Sequence, residues 1–231
     1  MSDSIVGRNP YPRRRIAGDE AAANRLQRKR SVALPPNFLD RLAGEKLFQR
    51  EGVAVKLCLT LYAMSGVSDD TVQVTYDGLW PLVLGVNEPR GPARLIEGMR
   101  RLEPTGLAAR DGSARGGNWF RLEKGYKYPY FVTTNLWSTG VIGNWSGPRL
   151  GIYLWLARST TQSPRRAAPR STGFARISAA PAVLNLSQRA LRAPFRDLED
   201  EGLTVTVRKD GERWIQLVNP DLWPIAEWPR R

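Results

Sequence analysis

The string Leu102-Glu103-Pro104-Thr105-Gly106-Leu107 returns ninety-six residues later as Leu198-Glu199-Asp200-Glu201-Gly202-Leu203. A chain that repeats itself at such a spacing is expected to fold as two similar units, so this repeat constrains the architecture more than composition does. The likeness extends in both directions. Upstream, Leu95, Met99 and Leu102 correspond to Leu191, Phe195 and Leu198. Each set is spaced i, i+4, i+7, the apolar stripe of an amphipathic helix. Further back, Gly78-Leu79-Trp80-Pro81-Leu82-Val83-Leu84 matches Ser178-Ala179-Ala180-Pro181-Ala182-Val183-Leu184. Both read as short helices with a proline near the start, where it is tolerated. Before these come two apolar helices, Val53 to Met64 and Leu150 to Arg158. Downstream, each copy continues as strand–turn–strand, with Asp111-Gly112 in the first and Asp210-Gly211 in the second as hairpin signals. Trp119 and Trp214 take matching places on the return strand.

The order in each copy is helix, short strand or turn, short helix, longer helix, β-hairpin. The glycine of the Leu-Glu-x-x-Gly-Leu string should end the third helix in a left-handed conformation. The leucine after it should start the first hairpin strand facing the core. This string in this context resembles many winged-helix regulators, over roughly residues 50–125 and 147–218. The resemblance implies a mainly α fold with small β-hairpin wings (α+β), as two winged-helix modules in tandem. The expected division is a flexible basic arm at 1–36, a first module at 37–125, a structured connection at 126–147, a second module at 148–219 and a tail at 220–231. A basic loop, 159–173, is expected inside the second module. The layout is also similar in architecture to plasmid replication initiators of the tandem winged-helix kind, with no initiator-specific motif. In that family the second module typically binds an origin repeat, while the first contacts DNA and dimerises.

The charge of +13 favours a polyanionic partner, nucleic acid before acidic membrane. It is concentrated in two stretches poor in apolar residues. Residues 1–36 hold eight bases against three acids, and residues 158–176 hold five arginines and no acid. Both read as flexible basic segments or as solvated linkers. Arg13, Arg14, Arg15, Arg28, Lys29 and Arg30 of the arm, with Arg165, Arg166 and Arg170 of the loop, are candidate phosphate contacts. The loop has a second reading, as a site for an acidic protein partner.

On a winged helix the third helix enters the major groove and the wing lies against the neighbouring backbone or minor groove. In the second copy that helix opens after Ser187, a good N-cap. Gln188, Arg192 and Arg196 share one face with Arg189 beside them, pointing away from the apolar stripe. These four are the candidate base contacts, since arginine pairs bidentately with guanine and glutamine with adenine. The plain alternative is a solvated helix face. Arg208, Lys209 and Arg213 on the second hairpin are placed for phosphates. Pro194 sits mid-helix and predicts a kink or break; Gly98 stands at the matching place. In the first copy, Arg90 and Arg94 are the candidate base contacts and Arg110 and Arg115 the backbone contacts. Glu97 and Ile96 on the same face weaken direct readout there. That module either contacts DNA through its backbone or mediates a homodimer.

Several function classes are disfavoured. The chain has no histidine and a single cysteine, Cys58, set in an apolar run. This excludes the usual Ser-His-Asp and Cys-His triads, His-ligated zinc and an intrachain disulfide. No Asp-x-Asp motif suggests carboxylate-held metal, and neither metal nor cofactor is expected. Tyr126, Tyr128 and Tyr130 are imaginable nucleophiles for a recombinase, but a structural strand suits them better. No apolar run approaches the ~20 residues of a membrane span, and the start lacks a secretory signal. The chain is expected to be soluble, cytoplasmic and nucleoid-associated, from a high-GC bacterial, plasmid or phage source. The expected function is sequence-specific binding of double-stranded DNA, without enzymatic activity, in replication initiation, partition or transcription regulation. The alternative is a protein-interaction or scaffold module with non-specific nucleic-acid affinity.

Overall fold

The computed structural model describes residues 24–49, 51–66, 69–85, 88, 90–114, 117–124, 129–160 and 174–218. They form a mixed α+β fold of helices and three small antiparallel sheets. Residues 24–28 are helical, and strand β1 (Ser31–Leu34) and helix α1 (Phe38–Gly44) follow. The first copy of the repeat follows: α2 (Val53–Met64), β2 (Thr71–Val74), α3 (Tyr76–Leu84), α4 (Gly91–Leu102), and the hairpin β3 (Ala108–Ala114) and β4 (Gly117–Leu122). Then come β5 (Tyr130–Thr133) and two single-turn helices, α5 (Asn135–Ser138) and α6 (Val141–Asn144). The second copy consists of α7 (Gly147–Thr160), β6 (Ala175–Arg176), α8 (Ala180–Leu184), α9 (Gln188–Asp200), β7 (Thr204–Lys209) and β8 (Glu212–Leu217).

The two copies share more than element order. Their sheets run β2-β4-β3 and β6-β8-β7, so in each the strand between the first two helices pairs with the hairpin's return strand. Gly106 and Gly202 sit at φ +67° and +68°, the left-handed region that stops a helix. Leu107 and Leu203 follow, both buried, each aligned to enter the core as the hairpin begins. Burying a leucine contributes about 2 kcal/mol, so this position sets the register of the hairpin against the helix.

Helix α2 is buried from Ala54 to Met64, as an element apolar on every side requires. It packs on α3, α4, β1, β4 and α7. Helix α7 is equally buried from Leu150 to Ala157 and meets α8, α9, β5 and β8. The two central helices start against each other. A Cβ on Gly52 would lie 2.6 Å from Gly147 Cα, and one on Gly147 would lie 2.4 Å from the Phe48 carbonyl oxygen. Only glycine permits that approach. The segment between the copies reinforces it. Lys56 donates to the Gly143 carbonyl at 2.8 Å, Trp137 Nε1 donates to Thr60 Oγ1 at 3.0 Å, and the Thr133 amide donates to the Tyr153 hydroxyl at 3.1 Å. Asn185 Nδ2 donates to the Ala43 carbonyl at 3.2 Å, and Arg158 pairs with Asp40 at 2.7 Å. One hydrophobic cluster runs through both copies.

Three expectations need correcting. Within the arm assigned to 1–36, residues 24–36 carry structure: Leu26 is buried, and β1 pairs antiparallel with β5 from Ser31↔Thr133 to Leu34↔Tyr130. The alternation of exposed Ser31 with buried Val32 and Leu34 holds the strand in place. Helix α9 does not break at Pro194. Leu191 and Leu198 are buried on both sides of the ring, and Ala190, whose carbonyl loses its bond to the proline, is exposed to water. Asp111-Gly112 is not the first hairpin's turn; it lies inside β3, where the register slips between Arg110 and Gly112 as a bulge. Asp210-Gly211 is a turn, with both residues at positive φ. Gly98 also gains an account: a Cβ there would lie 3.2 Å from Val53 Cγ1, where α4 crosses the start of α2.

The expected loop 159–173 begins in α7, which runs to Thr160; residues 161–173 and the tail from 219 lie outside the described residues. Among the described residues no helix is long and apolar enough to cross a membrane.

Candidate nucleic-acid interface

Helix α9 is started by Ser187, whose Oγ accepts from the Ala190 amide at 3.2 Å. No acid occupies the first turn, so the positive end of the helix dipole is left uncompensated. Leu191 and Leu198 face inward, while Phe195 meets Trp155 edge-on at 6.4 Å between ring centres. Gln188, Arg189, Arg192 and Arg196 are exposed, as their helical spacing requires. Among the described residues no carboxylate forms an ion pair with any of the three arginines.

A groove of about 810 Å³ separates α9 from the second hairpin. Gln188, Arg192, Arg196 and Arg213 line it, with the carboxylates of Glu199 and Glu212. Arg208 and Arg213 stand directly opposite each other across β7 and β8, and Lys209 stands opposite Glu212. Like charges at facing positions destabilise a sheet. An anion between the two guanidinium groups removes that cost, so the hairpin suits a phosphate. All three basic residues are exposed.

The foundation of α9 is an ion pair that sequence reasoning missed. Arg149 of α7 pairs with Glu201 at the end of α9, and its guanidinium lies 4.7 Å from the Trp145 ring centre. Burial lowers the Arg149 pKa to about 10, against the opposing effect of Asp197. The pair fixes the far end of α9 to the central helix. Its partners are separated by fifty-two positions and belong to no motif, so no local pattern signals them.

The first copy is built differently. Arg90 is exposed at the N-cap of α4, but Arg94 is held between the carboxylates of Glu51 and Glu88. A guanidinium with two carboxylates has no free fork for a base edge, so Arg94 is corrected from base contact to structural ion pair. Ile96 is 40% exposed on the same helix, and Glu97 lies 3.7 Å from Arg100. Arg110 is exposed on β3; Arg115 lies outside the described residues.

The arm residues also separate. Arg28 and Arg30 are exposed. Lys29 is not available to a phosphate. Its ammonium donates to the carbonyls of Ala63 at 2.9 Å and of Ser65, at the end of α2. Burial first, then the nearby Lys124 and Arg25, lower its pKa to about 8. Lys124 donates to Ser65 Oγ at 2.8 Å, so two cations face the negative end of the α2 dipole. Arg13, Arg14, Arg15, Arg165, Arg166 and Arg170 lie outside the described residues.

Of the three tyrosines weighed as nucleophiles, Tyr130 is buried, and burial pushes its phenol well above the ordinary range. Tyr126 and Tyr128 lie outside the described residues. Cys58 is fully buried, which likewise raises its thiol pKa. Comparison of the chain with protein-family models, curated protein sequences and solved structures finds no match.

Proposed function

We propose that this chain binds double-stranded DNA in a sequence-specific manner through two winged-helix modules in tandem, and that it is not an enzyme. The observation that carries the reading is the exposed row Gln188, Arg189, Arg192 and Arg196 on α9, without an ion pair among the described residues, beside the facing Arg208 and Arg213 of the hairpin. In this reading α9 lies in the major groove. Arg192 and Arg196 meet guanine edges, Gln188 meets adenine, and the hairpin arginines hold phosphates. The first module contributes Arg90 as its candidate base contact and Arg110 and the arm to the backbone, and its face is also the candidate for a homodimer contact. Helix α4 is the poorer reader because Glu51 and Glu88 occupy Arg94. The biological setting that suits such a protein is replication initiation, partition or transcription regulation of a plasmid, phage or other mobile element, in the cytoplasm.

The test is a pair of double variants on full-length protein. Arg192→Ala with Arg196→Ala should relax base preference and weaken specific binding by about tenfold or more per arginine. Arg208→Ala with Arg213→Ala should weaken binding to all duplexes alike and reduce the salt slope by about one for each phosphate lost. Unchanged affinity and preference in the first variant would favour a scaffold role instead.

A further inference from the structure

Each small sheet has an outer face that the core does not use. In β4, Phe120 and Leu122 are buried while Trp119 and Arg121 point out. In β8, Ile215 and Leu217 are buried while Trp214 points to the opposite side. Trp119 and Trp214 are each the third residue of the return strand, so the same position carries an outward tryptophan in both copies. Neither ring belongs to the hydrophobic core, although Trp214 is half-buried with its Nε1 enclosed. Trp119 is 38% exposed; its neighbours across the sheet are Gln73 on β2 and Gly112 on β3, and at Gly112 even a Cβ would meet nothing within 4 Å, which leaves the β3 side of the ring uncovered. Trp214 lies beside Val207, 38% exposed, with Val205 and Phe174 also exposed nearby. An arginine accompanies each ring, held by an exposed ion pair: Arg121, two residues along the same face, lies 3.8 Å from Asp111, and Arg176, whose guanidinium covers one face of Trp214 at 4.9 Å from the ring centre, pairs with Glu212 at 3.0 Å.

We propose that these outer faces bind single-stranded nucleic acid by stacking unpaired bases on Trp119 and on the uncovered face of Trp214, with phosphates exchanging for Asp111 and Glu212 at the exposed ion pairs of Arg121 and Arg176. Aromatic rings on a sheet face stack any base, because every base has a π-face, and cations beside them follow the backbone. The charge of +13 argues for a polyanion as the occupant. This surface is distinct from the α9 groove. In the second hairpin, Arg213 faces the groove and Trp214 faces away from it.

The experiment measures binding of the full-length protein to oligothymidylate, to oligouridylate and to duplex DNA on the same preparations. Wild type should bind the single strands with quenching of tryptophan emission. Trp119→Ala and Trp214→Ala should each lower single-strand affinity about tenfold or more, while Trp→Phe at either site keeps most of it. Duplex affinity should stay within about twofold, so the α9 surface is scored separately. Val207→Glu, a change at an exposed position that leaves the core intact, should also weaken single-strand binding at least tenfold. Preference between the thymidylate and uridylate strands identifies the sugar that the face accepts. The proposal is overturned if wild type ignores both strands, or if the double tryptophan variant and Val207→Glu bind them unchanged. It is equally overturned if these variants only dissociate a dimer in sedimentation.

Discussion

Replacing Lys56 with methionine should stabilise this protein at neutral pH. Lys56 is 4% exposed, and its ammonium donates to the Gly143 carbonyl at 2.8 Å. Burial lowers its pKa from 10.5 to about 8. At about 1.4 kcal/mol per pH unit, keeping the charge costs the folded state about 3 kcal/mol at pH 7. Methionine fills a similar volume without the charge but loses the hydrogen bond, worth about 1 kcal/mol. The net gain is about 2 kcal/mol. The pH dependence carries the sharper test. Below pH 8 both states hold the proton and the variant's advantage is full. Between about 8 and 10.5 the unfolded chain holds a proton that the folded chain has released. Wild-type stability therefore rises with pH, and the advantage shrinks. Above 10.5 only the lost hydrogen bond remains, and the variant becomes the less stable protein. Lys29 and Lys124, whose pKa values are also lowered, are common to both proteins and cancel in the difference. Urea unfolding of both proteins at a series of pH values reads this directly. A difference independent of pH between 7 and 10.5 would refute the reasoning.

Three further outcomes follow from single contacts. Glu201→Ala should destabilise by about 2 kcal/mol or more by stranding the largely buried Arg149 guanidinium, and Glu201→Gln by less; scanning calorimetry distinguishes them. Gly147→Ala should cost about 3 kcal/mol in chemical denaturation, because its Cβ would lie 2.4 Å from the Phe48 carbonyl oxygen and the starts of α2 and α7 would have to separate. Ser187→Ala should cost about 1 kcal/mol through loss of the α9 cap, seen as a melting temperature lower by about 2–4 °C.

The repeat made the third helices and hairpins of both copies legible, because every signal involved is local. Gly106 and Gly202 end helices within one turn of the leucines they follow, and the stripe Leu191, Phe195, Leu198 is read within eight residues. Contacts made across long stretches of chain were not legible. The β1–β5 pairing joins four-residue strands about a hundred residues apart, so Val32 and Leu34 looked like part of a charged arm. Arg94 reads as a free donor until Glu51, forty-three positions earlier, is brought beside it. Pro194 breaks an isolated helix, and only its burial against the rest of the second copy keeps α9 whole. The outer tryptophans were visible as a matched pair, but their exposure depends on strand parity, which the bulge at Gly112 hides in the first copy.

The decisive measurement of sequence recognition by α9 is selection of duplex fragments from the DNA around this protein's own gene, with excess competitor at moderate salt. If α9 reads bases, wild type enriches a repeat that the Arg192→Ala, Arg196→Ala double variant no longer selects. Binding without enrichment, or the same enrichment by the double variant, would contradict α9 as the reading element.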